Sequence, residues 1–214
     1  MKYDDMAEDI LRYADAKKIS KFTLLGQSMG GKIAMNLASR FSQRINGLII
    51  IDSPPKNYSK SPEFKTNTYN SLKKLQSHLN IETMNRDQAL DMFFNMFKEE
   101  RAFANIIAQN VSYQINQELG VKWTNNMRSI FDNLEEIFSF ETKHRYPKND
   151  FLIICGSNSY KVSPQIYQNV FPNISSRNLK IINGAGHWVH SDKPKETIRE
   201  ISLFLRDLDS GSFN

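Results

Sequence analysis

The sequence predicts an α/β fold: a mostly parallel sheet flanked by helices and interrupted by one helical insertion. Three observations predict it. Helix and strand patterns alternate through residues 1–55. They alternate again through residues 147–214. Between them, residues 56–146 read as helical, with no convincing strand. The expected organisation is therefore a core made of 1–55 and 147–214, with residues 56–146 inserted as a cap or lid.

Each element has a local reason. Asp4 and Asp5 open a helix whose apolar positions Met6, Ile10, Leu11 and Ala14 recur at helical spacing, and early carboxylates suit the positive helix end. That helix should end near Lys17. Phe22 to Leu25 reads as a buried strand, Lys32 to Phe41 as a helix, and Leu48 to Ile51 as a second buried strand. Asp52 and the Ser53-Pro54-Pro55 run stop that strand. From about Ser61 to Phe140 the period is helical. Asn85 with Gln88 resembles a capping box ahead of a run in which Phe93, Phe94, Met96 and Phe97 are too many for one narrow stripe. Further helices should carry Ile106, Ile107 and Val111, then Met127, Ile130, Phe131, Leu134 and Ile137. These aromatic and methionine side chains suit an inter-helix core, or a cap whose soft apolar face lines a pocket. Strands at Phe151 to Cys155 and Leu179 to Ile182, a short helix at Gln165 to Phe171 and a last helix from Lys195 to Leu208 complete the pattern. The tail after Leu208 reads as frayed.

Composition excludes several classes. At 214 residues, with 40% hydrophobic and 24% charged residues, the chain is long and apolar enough to bury a substantial core. The net charge of +5 comes from scattered bases such as Lys17, Lys73, Lys143 and Lys195, with no aromatic-interleaved stripe, so no nucleic-acid partner is expected. No run approaches the ~20 apolar residues of a membrane span. The acidic N-terminus is neither a secretory signal nor an Arg-rich transit peptide. Cys155 is the single cysteine, which rules out an intramolecular disulfide and a four-cysteine metal site and points to a reducing compartment, cytosol or mitochondrion alike. No cofactor and no metal are expected: the glycines lack the G-x-G-x-x-G spacing and the lysine-serine pair of a phosphate loop.

The chemistry is carried by Gly26-Gln27-Ser28-Met29-Gly30, a G-x-S-x-G run between an expected strand and an expected helix. A serine there sits on a very tight, strained turn, and glycines at 26, 30 and 31 remove collisions with neighbouring backbone. Its oxygen is presented at the carboxyl end of the sheet, over a helix N-terminus. A serine nucleophile needs a base. Of the four histidines, His78 and His144 fall in or beside the insertion and read as surface residues. His187 lies in a glycine-rich loop just past the last strand and is the expected base, whereas His190 suits a loop or helix cap. The acid is expected at Asp52, because no Asp or Glu occurs from Phe151 to Gly186. Asp52 also reads as a turn residue before Pro54. Ser159 is expected to hydrogen-bond the imidazole, and Met29 N–H to serve an oxyanion.

These residues resemble the α/β-hydrolase superfamily, and within it the group of abhydrolase domain-containing protein 11 and related small bacterial esterases. The likeness rests on Gly26–Lys32, Ile51–Pro55, Gly156–Val162 and Gly184–Pro194, and it covers nearly the whole chain. It implies a serine hydrolase of carboxylic esters or thioesters, with the acid at Asp52. Gln27 stands where the family usually has histidine; little effect is expected, because that side chain is not the base. The resemblance also implies further strands ahead of Tyr3, with a His-Gly loop that gives a second oxyanion amide. Against that pattern the chain reads as N-terminally shortened, which would leave the strand Phe22–Leu25 near a sheet edge, open to self-association or a partner chain. Two functions follow: an active hydrolase acting on a small acyl ester or thioester, or a catalytically impaired domain that binds or assembles.

Overall fold

A computed structural model describes residues 2–59, 68–99, 101–112, 120–141, 144–159 and 164–211. They form two compact units, Lys2–Asn57 with Ser139–Asn214, and Tyr58–Phe138. Residues expected at Ser61, at Lys143 and at the extreme tail beyond 211 lie outside the described residues.

The first unit is an α/β sandwich. Its elements are α1 (Tyr3–Ala16), β1 (Phe22–Gln27), α2 (Met29–Arg40), β2 (Ile45–Ile51), then β5 (Phe151–Gly156), α8 (Pro164–Tyr167), β6 (Leu179–Ile182), α9 (Val189–Asp192) and α10 (Pro194–Asp209). Among the described residues the sheet has the order β1-β2-β5-β6, and every pairing is parallel. The central strands β2 and β5 are apolar at almost every position because both faces are covered. The period of two sorts them. Leu48, Ile50, Phe151, Ile153 and Cys155 join the core under α1 and α2. Ile49, Ile51, Leu152 and Ile154 join the opposite core with Val189 and Phe204. Each such aliphatic side chain contributes roughly 1.5–3 kcal/mol on burial. Polar bonds hold α1 against α2: Asn36 donates to Asp4 at 2.9 Å and Arg40 to Glu8 at 2.7 Å.

Residues 139–141 and 144–146, assigned by the sequence reading to the insertion, fall with the α/β unit, where Phe140 and Tyr146 are 1% exposed. The short helix expected to reach Phe171 ends at Tyr167, and Phe171 follows in a turn whose N–H donates to Tyr167 O at 2.8 Å.

The second unit contains α3 (Thr68–Gln76), α4 (Arg86–Met96), α5 (Arg101–Gln109), α6 (Met127–Asp132) and α7 (Leu134–Phe138). The capping box at the start of α4 is present, with reciprocal Asn85–Gln88 bonds of 2.9 Å. Two differences from the sequence reading appear. Val111 lies not on a helix but in β3 (Val111–Ser112), paired antiparallel with β4 (Lys122–Trp123). Two residues per strand are too few for a period to show; Trp123 makes the hairpin pack by donating its indole N–H to Leu79 O at 2.8 Å. The helix expected through Ile137 is broken into α6 and α7 at Asn133, whose φ of −114° leaves the helical range. Phe93, Phe97 and Phe131 fill this unit's own core, with Phe94 and Met96 packed partly buried against it. No described helix is long and apolar enough to cross a membrane.

Candidate active site

The parallel register sets two residues level. Gln27 pairs with Ile51, so Ser28 and Asp52 follow next in register at the carboxyl ends of β1 and β2. The Ser28 N–H donates to Ile51 O at 3.1 Å, and the Ser53 hydroxyl donates to Ser28 O at 2.5 Å. Both residues leave their strands with left-handed backbone: φ is 52° at Ser28 and 44° at Asp52. Such conformations cost on the order of 1–3 kcal/mol and persist where surrounding structure enforces them. At Ser28 the enforcement is the immediate start of α2 at Met29.

The turn is tight enough to need glycine. A Cβ on Gly26 would stand 2.3 Å from Gly30 O, and one on Gly31 would stand 2.5 Å from the Ser53 Cβ. Gly30 does not share that role: a Cβ there meets nothing within 4 Å. It is the Gly30 carbonyl, not its missing side chain, that makes the turn close.

Asp52 is 1% exposed and accepts three hydrogen bonds. Gly156 N–H donates to Oδ1 at 3.2 Å, the Ser159 hydroxyl to Oδ2 at 2.5 Å, and His187 Nδ1 lies 2.6 Å from Oδ2. A carboxylate can only accept, so the Nδ1 proton sits on the imidazole and Nε2 is left as the basic nitrogen. Ser159 therefore serves the acid, where the sequence reading placed it on the imidazole. The three donors together balance the desolvation of the buried carboxylate.

His187 reaches this position on a loop from β6 that runs over the end of β5. The approach is close: a Cβ on Gly156 would stand 2.3 Å from Gly186 O. Gly184 N–H donates to the Ser157 hydroxyl at 2.8 Å, and Asn158 N–H to Ala185 O at 2.9 Å. At its far side the loop meets β1, where the Gln27 side-chain amide donates to His187 O at 3.4 Å. Asp192 accepts from Gly186 N–H at 2.8 Å. Gln27, Gly156 and Asp192 were not picked out from the sequence for these contacts, because main-chain partners leave no residue-type signal.

The remaining expected residues take simpler places. Met29 opens α2, so its N–H is among the first four amides that a helix leaves without an internal acceptor. His78 and His144 are exposed, as is His190, which lies in α9 with its ring 6.1 Å from that of Trp188. Cys155, one residue from the rim, is fully buried; burial pushes its thiol up to about 12 and keeps it neutral. Among the described residues no group of three His, Cys, Asp or Glu side chains stands where it could hold a metal ion.

Several known proteins are similar in sequence. The chain is 29% identical over 209 residues to Esterase YbfF of Escherichia coli, covering 97% of this chain and 76% of that protein. It is 27% identical to the sn-1-specific diacylglycerol lipase ABHD11 of Danio rerio, covering 95% of this chain and 63% of that protein, so it spans less than two thirds of that relative. A solved marine microorganism esterase superposes with a TM-score of 0.82 at 24% identity, over 95% of this chain and 77% of its own. The model of the alpha/beta hydrolase fold family matches residues 1–194, and the chain belongs to that family.

Proposed function

We propose that this chain is a serine hydrolase that cleaves a carboxylic ester or thioester through an acyl-enzyme on Ser28. The observation that carries the reading is the 2.6 Å bond between His187 Nδ1 and the buried Asp52, formed level with a strained serine on the adjoining strand. The similar proteins named esterase and lipase support a hydrolase activity on carboxylic esters.

Ser28 Oγ attacks the acyl carbonyl while His187 Nε2 takes the hydroxyl proton. Asp52 holds the imidazole in the Nδ1–H tautomer and stabilises the cation that forms. Met29 N–H donates to the developing oxyanion. The tetrahedral intermediate collapses, and His187 passes its proton to the leaving alcohol or thiol. Water then attacks the acyl-enzyme by the same route, releasing the carboxylic acid and restoring Ser28.

A fluorophosphonate should label wild-type protein and leave Ser28→Ala unlabelled, and wild type should hydrolyse a p-nitrophenyl acyl ester. Folded wild-type protein that neither labels nor hydrolyses would overturn the reading. One observation favours the second reading, an impaired domain that docks a partner: β1 ends the sheet among the described residues, and Leu25 on it is 48% exposed. The labelling experiment separates the two.

A further inference from the structure

The main chain on both sides of the His187 side chain is gripped by groups that the reaction scheme leaves unused. The Gly186 N–H, just before it, donates to Asp192 Oδ2 at 2.8 Å. The His187 C=O, just after it, accepts from Gln27 Nε2 at 3.4 Å. The two grips come from opposite ends of the sheet. Gln27 is the last residue of β1, at one edge. Asp192 ends α9, which follows β6 at the other edge.

The loop needs such grips. Its residues Gly184 and Gly186 have no side chains to pack, and glycine backbone is the most permissive there is. The bonds from Ser157 and Asn158 fix Gly184 and Ala185 to the β5 end, but they stop short of the histidine itself. We infer that Gln27 and Asp192 form a two-point clamp on the His187 main chain, which holds the imidazole on Asp52 and level with Ser28. This rests on the hydrolase reading above for its functional consequence. Both are positioning residues: neither is placed on the reacting atoms. Gln27 has a further meaning in this role. It precedes the nucleophile, so it ties the serine turn directly to the loop of the base.

The test uses side chains that differ in one capacity. Asp192→Ala removes the acceptor; Asp192→Asn keeps an oxygen acceptor without the charge. Gln27→Met keeps the length and loses the donor. With a p-nitrophenyl ester, Asp192→Ala and Gln27→Met should each lower kcat about tenfold, since small misplacements of a reacting group are costly, with KM nearly unchanged. Asp192→Asn should restore kcat to near wild type. In parallel, the low-field proton of the His187–Asp52 bond, followed by NMR, should broaden in Asp192→Ala and Gln27→Met and stay sharp in Asp192→Asn. Wild-type kcat in both Asp192→Ala and Gln27→Met overturns the clamp, as does an Asp192→Asn protein no faster than Asp192→Ala. Should wild type itself prove unreactive, the hydrolase reading falls, and the proton signal still decides: equal sharpness in Asp192→Ala, Gln27→Met and wild type overturns the clamp. A misfolded Asp192→Ala leaves Gln27→Met and Asp192→Asn to give the answer.

Discussion

The α/β unit and the helical unit are both built on apolar cores, but they use their backbones differently. In the helical unit, aromatic rings fill the interior, as where Phe97 meets Phe103 edge-on at 5.0 Å. Among the described residues, every non-glycine residue with left-handed backbone belongs to the α/β unit: Lys18, Ser28 and Asp52. Two of these three stand at the ends of neighbouring strands, over bonds that hold them there. Regular sheet pairing supplies the stability that lets two adjoining residues be strained. A unit held by soft aromatic packing has no comparable framework for placing polar atoms. On the proposed reading, the chemistry belongs to the unit with the strained strand ends, and substitutions in the aromatic core of the other should act on stability.

Substitutions can break this contrast or sharpen it. The largest effect is expected for Ser28→Ala or His187→Ala, each lowering kcat by about 10⁶-fold; Ser28→Ala should keep the wild-type melting temperature, whereas His187→Ala should lower it because Asp52 stays buried with one donor fewer, and ester hydrolysis and circular dichroism check both halves. Asp52→Asn should lower kcat about 10⁴-fold, because the amide stabilises the wrong imidazole tautomer. In the helical unit, Phe93→Ala should cost about 3–5 kcal/mol of stability, read by urea unfolding, while folded protein still labels at Ser28 at the wild-type rate. Loss of labelling in folded Phe93→Ala protein would erase the division of labour. Ser159→Ala should lower kcat about tenfold, the worth of one hydrogen bond to a charged group.

Stability should also depend on pH. Lys32 is 5% exposed on α2, its ammonium donates to Lys56 O at 3.1 Å, and desolvation lowers its pKa from 10.5 to about 7. Between those values the unfolded chain holds a proton there that the folded chain lacks. Stability should therefore rise as pH climbs from about 7 toward 10 and be lowest below 7. Urea midpoints across that range check it, and Lys32→Met should flatten the rise.

How much of this was legible follows from what kind of partner each residue has. Ser28, Asp52 and His187 stood out because strand ends and glycine loops mark the rim in sequence. The sheet was legible because β2 and β5 are unbroken apolar runs. The β3–β4 hairpin was not, since two residues cannot show alternation. Nor was the break at Asn133, where apolar spacing continues across two helices that the backbone separates. The sequence reading gives the Ser159 hydroxyl to the imidazole, whereas it donates to Asp52, because sequence places a loop near a rim and cannot say which of two adjacent polar groups a hydroxyl meets. Gly30 was overvalued for the matching reason: a motif glycine need not be the one that steric contact demands.

The partners of the Asp52 carboxylate lie 104, 107 and 135 positions downstream of it. During synthesis, β1, α2 and β2 emerge long before any of them. In the proposed hydrolase, a nascent chain halted short of residue 187 holds the serine without its expected base and leaves the buried Asp52 carboxylate one donor short. Synthesis through His187 would thus supply the proposed base and the last of the acid's three partners together.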